Sequence, residues 1–498
     1  MRKAGILMPI SGIPSPYGIG TFGKASYEFV DFLEKAGQKL WQILPLGPTG
    51  YGDSPYQSFS TFAGNPYYID LELLIGKGYL TREECDSYDF GADEHDIDYE
   101  KIYLSRFPVL KRAFQRAGEK GLFTKPDYRA FIEENSFWLE DYALYMAVKN
   151  AFGGVCFLEW DEDIRLRKKK ALARYREELA EEIAFYKFQQ YLFSTQWQAL
   201  KKYANKKGIE IVGDIPIYVA FDSADTWANP KLFQLDEEGK PIAVAGCPPD
   251  VFATTGQLWG NPLYQWKYHK KTDYEWWIRR IAYCYELYDI VRIDHFRGFD
   301  AYWSVPYGDP TAEKGHWEKG PGYDLFEAIK KSLGKKKVIA EDLGFLTDSV
   351  IKLVKKTGYP GMKILQFAFG EGAESDYLPH NYPQNCVAYT GTHDNDTTVS
   401  WVRQMPPKEA RFAMEYLSVQ SKKELPWACI RAAIASTADT AIIPMQDYLH
   451  LGREARINVP STIGTNWRWR MDKAALNKEL ARKIRKLAKT YGRIGQKG

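Results

Sequence analysis

The run Asp289-Ile290-Val291-Arg292-Ile293-Asp294-His295-Phe296 decides how this chain is read. Its apolar residues are continuous rather than alternating, as in a strand covered on both faces. An acid and a histidine stand at its C-terminal end. Arg292 lies two residues before Asp294, so on a strand both side chains share a face. Seven other short apolar runs end in Gly, Pro or polar residues in the same way, at 5–9, 41–46, 210–219, 337–343, 363–369, 386–392 and 440–447. Eight such runs, most of them separated by helical stretches, predict a (β/α)8 barrel. Among those stretches are 25–36, closed by Gly37, and 323–333. The closing segment 473–490 carries Leu476, Leu480, Ile484 and Leu487 on one stripe.

The spacing of the runs is uneven. Residues 47–209 separate the second from the third and hold helical stretches at 128–139, 142–152 and 167–207, which predicts a helical insertion. Residues 220–288, between the third and fourth, are rich in Trp, Pro and Gly and read as a loop-rich insertion over a barrel mouth. The expectation is one catalytic barrel over 1–498, an α/β fold with large, mainly helical insertions and no separate C-terminal β-domain.

Composition narrows the function. Hydrophobic residues make up 45% and charged residues 26% of the 498, which are ordinary globular values. The net charge of +3 is too balanced to attract nucleic acid through bulk electrostatics. No apolar run is long enough to span a membrane. Six cysteines form no C-x-x-C pair, as expected of reduced thiols, and the first residues lack a signal-peptide pattern. These features predict a cytoplasmic protein with neither a nucleic-acid nor a membrane partner. Aromatic residues reach 15%. Packing accounts for most aromatics in proteins generally, and a sugar ligand with apolar ring faces is the functional alternative.

Gly18-Ile19-Gly20-Thr21-Phe22-Gly23 fits the glycine pattern of a dinucleotide site. Such a site wants an acid about 20 positions on, where the chain has Trp41-Gln42-Ile43-Leu44-Pro45-Leu46. The glycines therefore read as a barrel-top loop.

Four acids stand at the C-terminal ends of predicted strands, where barrel enzymes place catalytic groups: Asp214, Asp294, Glu341 and Asp394. Singly, each reads as a strand-end cap or an ion pair. Together they would converge over one mouth and need a cation, a shared proton or a metal. Glycosyl transfer between a carboxylate nucleophile and a carboxylic acid is one fitting chemistry. A divalent site built from Asp294, His295, His393 and Asp394 is the other. Arg292 favours the first, because a guanidinium beside Asp294 holds it ionised and disfavours a metal ion. His295 and His393 then read as hydrogen-bonding partners of sugar hydroxyls.

The segments WQILPLGPTGYGDSPYQSFSTFAGNPYYID (41–70), GDIPIYV, VRIDHFRGF, AEDLG, GTHDN and NVPSTIGTNWRWR span nearly the whole chain. In sequence and order they resemble the conserved regions of the amylomaltases, the 4-α-glucanotransferases of glycoside hydrolase family 77 in the α-amylase clan. The resemblance implies a retaining 4-α-glucanotransferase needing no metal or other cofactor, with maltooligosaccharides, amylose or other α-1,4-glucans and glucose as substrates. It implies Asp294 as nucleophile, Glu341 as general acid/base and Asp394 as transition-state stabiliser. It also implies Arg292 and His393 as supports around the donor sugar, Tyr56 stacking on that sugar, and Trp259 in a loop over the acceptor side; Asp214 matches the Asp of the family's G-D-x-P-I motif and, with His295, is expected among the substrate-binding residues. Residues 248–262, which include that tryptophan, are expected to shield the intermediate from water. Tyr51, beside the 41–70 segment, is a candidate for a second glucan site. A hydrolase of the same clan is the nearest rival, and a metal-dependent sugar enzyme and a non-catalytic glucan-binding protein are more distant ones.

Overall fold

The computed structural model describes residues 2–50, 52–249, 254–344 and 346–494. Eight parallel strands run in chain order around a barrel: β1 (Lys3–Leu7), β2 (Leu40–Gln42), β3 (Glu210–Ile215), β4 (Ile290–Ile293), β5 (Val338–Ala340), β6 (Gly361–Ile364), β7 (Cys386–Tyr389) and β8 (Thr440–Pro444). Ladders join β1 through β5, β6 through β8, and β8 back to β1. Among the described residues no ladder joins β5 to β6. There Ala340 N–H donates to Pro360 O at 2.9 Å, and Met362 N–H donates to the Asp342 carboxylate at 2.7 Å.

The continuous apolar runs are explained by two covered faces. Leu7, Leu40, Val212, Ile339, Met362, Ile364, Val387, Tyr389 and Ile442 meet inside the barrel. Their sequence neighbours Ile6, Trp41, Ile211, Val291, Val338, Ala388 and Ile443 face the outer helices. Those helices include Lys24–Lys35, Ala180–Lys206, Glu275–Leu287, Tyr323–Leu333, Asp348–Thr357, Leu425–Ala435 and Lys478–Thr490. No further strand follows β8 among the described residues. Among the described residues no helix is long and apolar enough to cross a membrane.

Between β2 and β3 stand Tyr99–Glu119, Pro126–Glu134, Ser136–Ala151, Lys169–Glu178 and Ala180–Lys206, with shorter helices before them. Part of this region has its own core, in which Trp138, Tyr142, Tyr145 and Trp160 meet Trp227. Residues 220–288 carry more regular structure than their Trp, Pro and Gly content suggests. Ala243–Cys247 and Gln257–Pro262 join Ala301–Pro306 and His316–Lys319 in an antiparallel sheet. Two of its four strands come from beyond β4, a pairing that local sequence does not announce.

The early glycines are packing residues. A Cβ on Gly20 would lie 1.7 Å from Ile10 O, and one on Gly23 would lie 1.9 Å from the Asp70 carboxylate. That carboxylate accepts from Thr21 Oγ1 at 2.6 Å. It stands at the start of helix Lys24–Lys35, the place a phosphate takes in a nucleotide site.

Candidate active site

The acids stand within strands, directly after them, or on a loop beyond. Asp214 lies within β3, while Asp294 and Glu341 each follow the last residue of β4 and β5 directly. Asp394, expected at a strand end, lies five positions beyond β7 on a loop. Thr392 and Asn395 break the strand there, since Thr392 N–H and Oγ1 both bond Asn395 Oδ1.

In the register of β3 with β4, Asp214 faces Arg292. Arg292 Nη1 lies 2.8 and 2.7 Å from the two Asp214 oxygens and 3.0 Å from Asp294 Oδ1. The Asp214 and Arg292 side chains are 0% and 3% exposed, against 31% for Asp294. Burial works against the Arg292 charge, but Asp214 and Asp294 outweigh it and hold the guanidinium protonated. Tyr56 Oη donates to Asp214 Oδ2 at 2.8 Å, and the Tyr56 ring stacks on His393 at 5.2 Å. Asp214, expected among the substrate-binding residues, is buried, with its carboxylate on Arg292 and Tyr56.

Glu341 is held by backbone. Its two oxygens accept from His295 N–H and Leu343 N–H, each at 2.7 Å. His295 takes a left-handed conformation, φ 51°, a strained choice for a residue with a side chain. Its amide donates to the acid while its ring meets Trp259 edge to face at 4.8 Å. Burial, helped by the neighbouring Asp294 charge, pushes the Glu341 carboxyl up to about 8. Burial also raises Asp294, but there Arg292 pulls the other way. Of the two acids, Asp294 is the one in contact with the Arg292 guanidinium, and Glu341, pushed up to about 8, keeps its proton near neutral pH. Burial, with Arg297 adding to it, pushes His295 down to about 3, so its ring is neutral near pH 7.

Asp394 is 44% exposed and His393 only 2%, with 3.4 Å between His393 Nε2 and Asp394 Oδ1. Asn458 Nδ2 donates to Asp394 Oδ1 at 2.6 Å. Arg456 donates to the Asp394 carbonyl and to the Asn458 carbonyl, each at 2.8 Å. The Trp467 ring lies 5.9 Å from Tyr56 and 6.0 Å from His393. Asn458, Arg456 and Trp467 are absent from the sequence-based site. Asn458 and Trp467 stand in the quoted segment 458–470 and Arg456 just before it, but nothing in their spacing points to Asp394 or Tyr56. Trp259 sits on the strand Gln257–Pro262, with Nε1 donating to Gln257 Oε1 at 3.2 Å. Residues 250–253 of the covering segment, and Tyr51, lie outside the described residues. Among the described residues no group of three His, Cys, Asp or Glu side chains is placed to hold a metal ion.

A parallel eight-stranded barrel with paired carboxyls at adjacent strand ends defines a barrel enzyme with a two-carboxyl site. The family model described as 4-alpha-glucanotransferase matches residues 8–476. The chain belongs to that family of glucan-transferring enzymes. It is 52% identical to a 4-alpha-glucanotransferase of Clostridium butyricum, over 98% of this chain and 100% of that one. It is 50% identical to one from Streptococcus pneumoniae, over 99% and 98%. The solved amylomaltase of Streptococcus agalactiae in complex with acarbose superposes with a TM-score of 0.97 at 42% identity, covering 99% of this chain and 100% of that one.

Proposed function

We propose that the enzyme moves α-1,4-glucan segments from a donor to the 4-hydroxyl of an acceptor glucan or glucose by a retaining double displacement. Asp294 attacks the anomeric carbon, and Glu341 gives its proton to the departing glycosidic oxygen. The covalent glycosyl-Asp294 is then attacked by the acceptor hydroxyl, whose proton returns to Glu341. Asp394, steadied by Asn458, accepts hydrogen bonds from donor hydroxyls, and the Tyr56 ring is the stacking face. The observation that carries this reading is the division of charge: one guanidinium contact to Asp294, and only neutral amides to Glu341. The acarbose bound by the Streptococcus agalactiae amylomaltase supports an oligosaccharide-sized substrate.

Incubation with maltotriose tests it. Transfer gives glucose and a ladder of longer chains, whereas the rival hydrolase gives only shorter products. Asp294→Asn should abolish the ladder. A ladder that persists in Asp294→Asn overturns the nucleophile assignment.

A further inference from the structure

Arg292 carries the charge logic of the site, yet its contacts to Asp214 and Asp294 both run through Nη1. Its inner donor, Nε–H, points to Met362 Sδ at 3.3 Å. Met362 is 2% exposed and belongs to the apolar barrel interior. Its backbone is held on both sides. One edge follows the β6–β7 register, in which Met362 pairs with Val387. On the other, its N–H donates to Asp342. The sulfur therefore reaches Arg292 from a backbone held on both sides and from a buried, packed side chain.

We infer that Met362 is a positioning residue for glycosyl transfer, whose thioether accepts Arg292 Nε–H and fixes the guanidinium plane with Nη1 on Asp294. The inference rests on the reading of Asp294 as nucleophile. A thioether is a weak, neutral acceptor. Neutrality is the useful property. Arg292 already faces two carboxylates, and a third at Nε would raise Asp294 further by like-charge repulsion. An aliphatic residue would leave a buried N–H without a partner, which is costly and frees the guanidinium to turn. Methionine fills the barrel like leucine and still receives the hydrogen bond.

Met362→Leu keeps the volume and removes the acceptor. The expected result is a kcat lower by about five- to tenfold, the worth of one buried hydrogen bond, with KM little changed. The acid limb of kcat/KM should also move to higher pH, because a loosened Arg292 holds Asp294 ionised less well. Met362→Gln offers an amide oxygen to Nε–H and should return the limb toward its original position. Unchanged kcat and acid limb in Met362→Leu overturn the inference. So does an equal loss in both variants with no movement of the limb, which is what packing alone would give. Should Met362→Gln fail to fold, the acid limb of Met362→Leu decides by itself. Asp294→Asn run alongside separates the two readings: activity there overturns the nucleophile, while an inactive Asp294→Asn beside an unaffected Met362→Leu overturns only the role of Met362.

Discussion

The two sides of the barrel mouth are built differently. On the side of β3, β4 and β5, the acids stand on or directly after strands, and their partners are a strand arginine and backbone amides. On the side of β7, Asp394 sits on a loop and is held by side chains 62 and 64 positions away. Ladder register fixes the first group to the geometry of the whole barrel. Long-range side-chain contacts fix the second, where the proposed mechanism has sugar hydroxyls met rather than a bond broken. On that mechanism the side of β3, β4 and β5 should tolerate no change of chemistry, and the side of β7 a graded one.

Substitutions can break that comparison. Asp294→Asn should cost the most, a loss of transfer on the order of 10⁴-fold or more, measured with maltotriose. Glu341→Gln should cost roughly 10²–10⁴-fold. Its pH behaviour is the sharper test. A general acid held at about 8 gives a basic limb of kcat/KM that falls as pH rises through that value. Stability has the same sign. The folded state keeps a proton that the unfolded chain has lost, so Glu341 lowers stability progressively from the ordinary carboxylate range up to about pH 8. Thermal midpoints of Glu341→Gln should accordingly gain on the wild type as pH rises across that window. Arg292→Lys keeps the charge but loses the planar contact, and should cost about 10²-fold with the acid limb moved upward. Asn458→Ala should be mildest, about tenfold in kcat/KM. If Asn458→Ala proved as damaging as Arg292→Lys, the two sides would not differ as described.

Much of this was legible in the sequence, for physical reasons that also mark where it stopped. Val291, Ile293 and their counterparts had to be continuously apolar because both strand faces are covered, so the barrel could be read from run after run. Arg292 and Asp294 could be paired because two residues on a strand share a face. The role of Asp214 could not be read, since only the three-dimensional register shows that Arg292 and Tyr56 close over it. Asn458 and Arg456 reach Asp394 across loops that follow no periodicity. The antiparallel sheet is not legible because its strands Ala301–Pro306 and His316–Lys319 come from beyond β4, more than fifty residues after the Ala243–Cys247 strand they extend.

The seam between β5 and β6 bears on how the enzyme fails. Elsewhere neighbouring strands hold one another by ladders, but here Ala340 meets Pro360 and Asp342 meets Met362. Native proteins breathe first where backbone bonding is thinnest. This joint lies one residue from Glu341, so its opening shifts the proposed proton donor while most of the barrel stays shut. On gentle heating, transfer should disappear before the fold does, and amide exchange should quicken first at Ala340 and Met362.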